Sequence, residues 1–185
     1  MDVLIRAACM ADARVVNEVY DYYIDNTVAT FNELHKTVEE RENELVSILG
    51  MYPFLVAEDE KGAFLGFACA EPFRSQTGYR FMPELTIYLH PSAPKGCGIG
   101  TKLYEKLLML LKAQGFASAV AVVYGGNAES LALHRRFGFE QLALIPNAAY
   151  KHGMWLDMCI LRKELCGFAD CPAEPVPFPH LQNKV

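Results

Sequence analysis

Glycines at 96, 98 and 100 stand between a strand-like run over residues 84–90 and a helical run over 99–114, and no other stretch restricts the fold of this chain as much. Glycine accepts left-handed backbone, so such a turn can gather N–H groups around a phosphate. The helix N-terminus behind it adds partial positive charge. Two familiar nucleotide loops are excluded by spacing. The dinucleotide fingerprint needs a third glycine three positions after the second, but these glycines alternate. A Walker loop needs Gly-Lys-Ser/Thr, but Gly100 is followed by Thr101 and then Lys102. The pattern that stands is Lys95-x-x-Gly98-x-Gly100.

The remaining periodicities arrange further elements around this unit. Residues 3–7 read as an opening strand. Residues 11–26, with Val15, Val16, Val19, Tyr20, Tyr23 and Ile24 at helical spacing, read as an amphipathic helix, and so do 38–51. The loop 27–36 separates them. Apolar runs at 53–58 and 63–72 flank Asp59-Glu-Lys-Gly62, a hairpin signal. Gly115 ends the helix at 99–114, and 118–124 reads as a buried strand. Residues 127–137 form a short helix with Asn127 as N-cap and Gly138 as its stop. Two last strands, roughly 139–146 and 154–162, join around Tyr150–Gly153. Prolines 172, 175, 177 and 179 predict an irregular tail. The chain thus divides into one domain over 1–165 and a proline-rich tail over 166–185. The order β-α-α-β-β-β-α-β-α-β-β lacks the strict alternation of a doubly wound sheet. It predicts an α/β (α+β) fold, a mixed and mainly antiparallel central sheet with helices on both faces.

Composition excludes several function classes. A net charge of −5 without Lys/Arg clusters gives no nucleic-acid surface. No apolar run spans a bilayer, and residues 1–6 lack the pattern of a secretion signal, so a cytoplasmic protein without membrane partners is expected. Six cysteines, at 9, 69, 97, 159, 166 and 171, are scattered without zinc-ligand spacing, which predicts reduced thiols and no metal.

On the strand–helix unit after the glycine loop stands Asn127-x-x-Ser130-x-x-x-His134-x-x-x-Gly138-Phe139. With the element order and the loop, this resembles the GNAT superfamily of N-acetyltransferases, and within it the phosphinothricin acetyltransferase family. The resemblance extends to Ile5-Arg6-x-Ala8, Tyr52-Pro-Phe-Leu-Val-Ala-Glu58, Pro72-Phe-Arg74, Tyr79 ahead of Glu84-x-x-x-Tyr88, Ala113-Gln-Gly-Phe116 and Lys151-His-Gly-x-Trp155-x-Asp157. It covers residues 3 to 165 or so.

The resemblance implies transfer of an acetyl group from acetyl-CoA to a primary amine of phosphinothricin, methionine sulfone or methionine sulfoximine type. It implies that the backbone of Ile87, Tyr88 and Leu89 pairs with the pantetheine arm. Lys95, Gly96, Cys97, Gly98, Ile99, Gly100 and Thr101 would hold the pyrophosphate, and Asn127 with Ser130 would bond near the pantetheine. It places the family's catalytic carboxylate at Glu84. An ammonium must lose a proton before its nitrogen attacks a thioester, and a carboxylate in a partly dry cleft can take it; the alternative is a strand-edge Glu in solvent or paired with Arg80. His134 stands where many GNAT enzymes carry a proton-donating tyrosine, and as a helix residue it can equally be packing. Phe31, Arg74 and Tyr79 would shape the acceptor pocket. Gln76 replaces an Arg common among relatives, which removes a bidentate grip on an anion and puts phosphinothricin itself in doubt. Cys97 sits at the phosphate end, too far from the thioester to act as a nucleophile. Rival acceptors are polyamines, antibiotic amines and protein N-termini; a non-catalytic acetyl-CoA-binding module is the rival of another class. Relatives are often homodimers, and Phe81, Tyr150 and Trp155 are candidates for such an interface.

Overall fold

Asp59 closes the first hairpin. Its Oδ1 accepts the N–H groups of Lys61 and Ala63, each at 2.8 Å, and Gly62 takes a positive φ of 79° that a side chain would resist. The turn joins β2 (Phe54–Asp59) to β3 (Phe64–Pro72). The structure is a computed structural model that describes residues 2–184, so the two chain ends assigned above to the domain and the tail, 1 and 185, lie outside the described residues. The other elements are β1 (Val3–Ala7), α1 (Ala13–Asn26), α2 (Val38–Leu49), β4 (Pro83–Leu89), α3 (Ile99–Gln114), β5 (Ser118–Tyr124), α4 (Ala128–Arg136), β6 (Glu140–Lys151) and β7 (Met154–Glu164).

The strands form one sheet in the order β1-β2-β3-β4-β5-β7-β6. Every neighbouring pair is antiparallel except β4 and β5, so the mixed, mainly antiparallel sheet expected above is what forms. Adjacent strand residues point to opposite faces, and β4 shows which helix owns which. The Tyr88 ring lies against Tyr20 and Tyr23 of α1, with centroids 5.2 and 4.7 Å away. Its neighbour Ile87 faces the start of α3. Helices therefore cover both faces, with α1 and α2 on one and α3 on the other. Phe54 and Phe67 under α1 and α2, and Leu55 with Leu103, Leu107 and Leu111 on the α3 side, are fully enclosed. Burying a side chain of this size contributes roughly 1.5–3 kcal/mol.

Three local readings change. The first helix begins at Ala13, two residues late, because a 3-10 turn over Met10–Asp12 precedes it. There Asp12 is buried and takes both guanidinium arms of Arg6 at 2.7 Å and the Cys9 N–H at 2.8 Å. β6 does not stop at Pro146. Its pairing with β7 skips between Ile145 and Ala149, and Asn147 adopts φ 52° while its N–H bonds Asp157 at 2.9 Å. A bulge absorbs the proline that would otherwise end the strand.

The third change concerns the tail. A 3-10 helix covers Phe178–Lys184, and Phe178 is wholly buried. The Val176 N–H donates to Gln114 O at 2.8 Å and the Phe178 N–H to Met51 O at 3.1 Å. The Gln114 amide also bonds Met51 O and Val176 O, each at 2.7 Å. Farther back, Glu174 is gripped by Arg80 at 2.8–3.0 Å. Prolines do prevent α-helix here, but an apolar residue between them finds a slot under α3.

Candidate active site

β4 and β5 are held together at their amino ends, where Phe81 O accepts the N–H groups of Ala117 and Ser118 at 3.1 and 3.4 Å. They pair as strands at one position, Glu84 opposite Val120. Beyond it pairing ends, so a fork opens towards their carboxyl ends with Glu84 at its root. The start of α3 lies beside this fork. A Cβ on Gly100 would sit 3.6 Å from Ile87 Cδ1 and 3.9 Å from Leu133 Cδ2, which brings α3, β4 and α4 together at one place.

The glycine loop is shaped by backbone conformation. Gly96 and Gly98 both have φ of 73°, and a Cβ at either would meet open space, so the positive φ is what glycine supplies. Gly98 is the N-cap of α3 with no side-chain cap, and the first turn holds no acidic residue. The first N–H groups of α3 are thus unspent, with the helix dipole behind them, and suit an anion. Lys95, Gly96 and Cys97 are exposed, whereas Ile99 is buried and anchors the helix. These features fit a pyrophosphate-bearing ligand whose arm lies in the fork. Two details qualify the polar contacts. The Asn127 side chain caps α4 by accepting the Ser130 N–H at 3.0 Å, and Leu89 O already accepts the Tyr23 hydroxyl at 3.0 Å.

Glu84 is half-buried, on the face of the sheet under α1 and α2. Burial, and then the Glu71 carboxylate, lift its pKa to about 7 against the opposing pull of Arg74. Arg80, the partner considered for it above, is bound to Glu174 instead. His134 is buried, and both its ring nitrogens are engaged. Nδ1 lies 2.7 Å from Ser130 O and Nε2 2.6 Å from the Tyr104 hydroxyl. A carbonyl only accepts, so Nδ1 carries the proton and Nε2 accepts from Tyr104. Burial lowers the His134 pKa, which keeps the ring neutral. Tyr104 was not singled out from sequence; it lies thirty positions before His134, and no local pattern joins the two.

The acceptor-side residues separate into two groups. Phe31 is half-buried on the loop after α1, next to Thr30, whose carbonyl accepts the buried Lys151 ammonium at 3.0 Å. The Thr30 side chain also hydrogen-bonds Tyr88, which ties this loop to β4. Arg74 is exposed, with its guanidinium 4.0 Å over the Phe73 ring, yet its charge reaches Glu84. Gln76 and Tyr79 are exposed. Tyr79 faces a cavity of about 270 Å³ with Met82, Ser118, Arg162, Phe168 and Pro172, which includes neither Glu84 nor Phe31 nor Arg74. The fork, and not this cavity, holds the titratable carboxyl. Phe81 lies at the Ser118–Glu164 end of β7, whereas Tyr150 and Trp155 form an exposed, T-shaped pair at its other end, with centroids 5.3 Å apart. The three do not share one surface. Among the described residues no group of three or more His, Cys, Asp or Glu side chains is arranged for a metal, and no helix is long and apolar enough to cross a membrane.

Comparison with known proteins agrees with this geometry. Residues 5–160 match the acetyltransferase (GNAT) domain family. The chain is 34% identical to a phosphinothricin N-acetyltransferase of Streptomyces viridochromogenes, over 95% of this chain and 92% of that one. It is 35% identical to an L-methionine sulfoximine/L-methionine sulfone acetyltransferase of Salmonella typhimurium, over 87% and 94%. A crystal structure of a GNAT superfamily phosphinothricin acetyltransferase from Sinorhizobium meliloti in complex with AcCoA superposes with a TM-score of 0.89 at 40% identity, over 95% of this chain and 96% of that one.

Proposed function

The chain belongs to the GNAT acetyltransferase family, and from that premise we propose that it transfers the acetyl group of acetyl-CoA to the primary amine of a small amino acid or amino-acid analogue of the methionine sulfone, methionine sulfoximine or phosphinothricin type. The observation that carries this reading is Glu84, a half-buried carboxyl of near-neutral pKa at the root of the β4–β5 fork. Acetyl-CoA supplies the activated acyl group as a thioester. The unspent N–H groups at the start of α3, with Lys95, Gly96, Cys97, Gly98, Ile99, Gly100 and Thr101, hold its pyrophosphate. The backbone of Ile87, Tyr88 and Leu89 lines its arm, with Asn127 and Ser130 across the fork.

An acceptor enters as its ammonium from the side of Phe31 and Arg74, where Arg74 meets its carboxylate. Glu84 takes one proton from that ammonium. The freed nitrogen then attacks the thioester carbonyl. A C–N bond forms, the C–S bond breaks, CoA leaves as the thiolate, and the second proton that the nitrogen sheds on becoming an amide passes to the sulfur and gives the thiol. His134 has no ring nitrogen to spare, so we assign it to holding Tyr104 and the Ser130 backbone in place rather than to direct proton donation. Gln76 and Tyr79 stand at the rim and influence which acceptor enters.

We further propose a homodimer formed through the β6–β7 ribbon, where Leu142, Leu144, Tyr150 and Trp155 are more than half or about half exposed on a sheet edge. The protein would work in the cytoplasm. Free-thiol release is measured across amino-acid analogues, common amino acids, polyamines and aminoglycosides. Turnover with an amino-acid analogue, lost in Glu84→Gln while acetyl-CoA still binds, supports the reading. Full turnover in Glu84→Gln removes Glu84 from the mechanism.

A further inference from the structure

On β3, Glu71 stands directly opposite Glu84 of β4 in the antiparallel register. Residues so paired point to the same face, with Cβ atoms about 4.5–5.5 Å apart. Both carboxyls are half-buried. Among the described residues neither has an ion-pair partner within 4.0 Å. The cations nearby act on the pair only through their field, with no ion pair to either carboxyl. Lys36 is bound to Glu44 at 2.8 Å, Arg41 pairs with the same carboxylate and lies 3.9 Å over the Tyr20 ring, and Arg74 stacks on Phe73. Two carboxylates this close and this poorly neutralised cannot both ionise cheaply.

Resting on the acetyltransfer reading above, we propose that Glu71 is a positioning residue that acts through Glu84. It keeps one proton shared by the pair in the empty enzyme, and it supplies the second negative charge against which the acceptor ammonium docks. The groups facing the pair are accounted for. From β3 and the loop after it come Cys69 and Arg74; from β4 come Thr86, which hydrogen-bonds Glu71, and Tyr88; from α1 comes Tyr20; from α2 and the preceding loop come Arg41, Glu44 and Lys36. Burial and Glu44 raise the Glu71 pKa as well, against Lys36 and Arg41. When the acceptor ammonium docks, its charge lets the shared proton leave to solvent and both carboxylates face the cation; the ammonium then gives one proton to the Glu84 carboxylate, so Glu84 becomes neutral while Glu71 keeps its charge. No further reactant is needed.

The test is the dependence of kcat/KM on pH, with saturating acetyl-CoA, for wild type, Glu71→Gln and Glu71→Asp. Glu71→Gln should move the acid limb down by about one pH unit, the effect of removing a near like charge, and raise the acceptor KM without changing the acetyl-CoA KM. Glu71→Asp should restore part of the limb. A merely structural role would lower kcat at every pH and leave the limb where it was, and that result overturns the proposal. Carboxyl ¹³C NMR titration of the wild type gives a readout free of activity, should a variant not fold. Two separated steps from the pair support the proposal, and two ordinary carboxyl titrations near the model-peptide value overturn it. Turnover in Glu84→Gln, with the paired titration intact in the wild type, overturns the base assignment instead, so the two failures are told apart.

Discussion

If Glu84 is the base, the pH of the medium sets the rate in a way that can be calculated. A carboxyl with a pKa of about 7 is half ionised at pH 7 and about one part in a hundred ionised at pH 5, so kcat/KM should fall about fiftyfold over that interval. The ordinary glutamate value of 4.5 would give a fall of only about 1.3-fold over the same interval. Amino groups of amino acids stay protonated throughout, so the acceptor adds no break of its own if it binds as the ammonium. The assay is initial thiol release at low acceptor and saturating acetyl-CoA, in buffers of constant ionic strength. Three outcomes separate. A limb of unit slope that levels near pH 7 supports the reasoning. A flat profile down to pH 5 refutes a raised Glu84 pKa. A limb that keeps rising to the amine's own pKa means the free amine binds and the enzyme removes no proton. In Glu84→Gln the limb should vanish and the plateau should drop by about a hundred- to ten-thousandfold, the usual contribution of a positioned base.

Other outcomes follow from packing and from linkage. Because the Glu84 pKa is higher in the folded chain than in the unfolded one, the folded state binds the proton more tightly and loses stability as pH rises from about 4.5 to about 7; urea titrations should therefore show Glu84→Gln gaining on wild type at pH 8 but not at pH 4. Gly66→Ala would force a Cβ to within 2.6 Å of Tyr88 O and 2.8 Å of Leu89 Cα, so the β3–β4 pairing should be disrupted and soluble folded yield should collapse. Phe178→Ala removes a fully enclosed ring and should cost about 3–5 kcal/mol in chemical denaturation. Tyr104→Phe deprives the buried His134 Nε2 of its donor and should cost about 1–3 kcal/mol, with the acid limb of the rate unmoved.

What could be seen in sequence was local. Glycines at both ends bounded α3 to the residue, and Asn127 marked the cap of α4 because its side-chain oxygen does take the Ser130 N–H. The Asp59 turn was legible because the partners of its carboxylate lie two and four positions on. Long-range partnerships were not visible. The neighbour of Glu71 is set by β3–β4 register, which no spacing reveals. Sequence left His134 open between proton donation and packing because Tyr104, which occupies its Nε2, comes from another helix. Pro146 suggested the end of a strand, but β7 and Asp157 carry β6 past it. The grouping of Phe81 with Trp155 failed for a related reason, since β7 places them at its opposite ends.

The Phe178 plug also has a meaning in time. As the chain leaves the ribosome, β1 to β5 and both faces of helices can be in place while the slot between Met51 and Gln114 still lacks its ring and its two strand-like hydrogen bonds. A chain arrested at residue 165 would carry the whole fork and glycine loop above an unfinished floor, a natural target for chaperones.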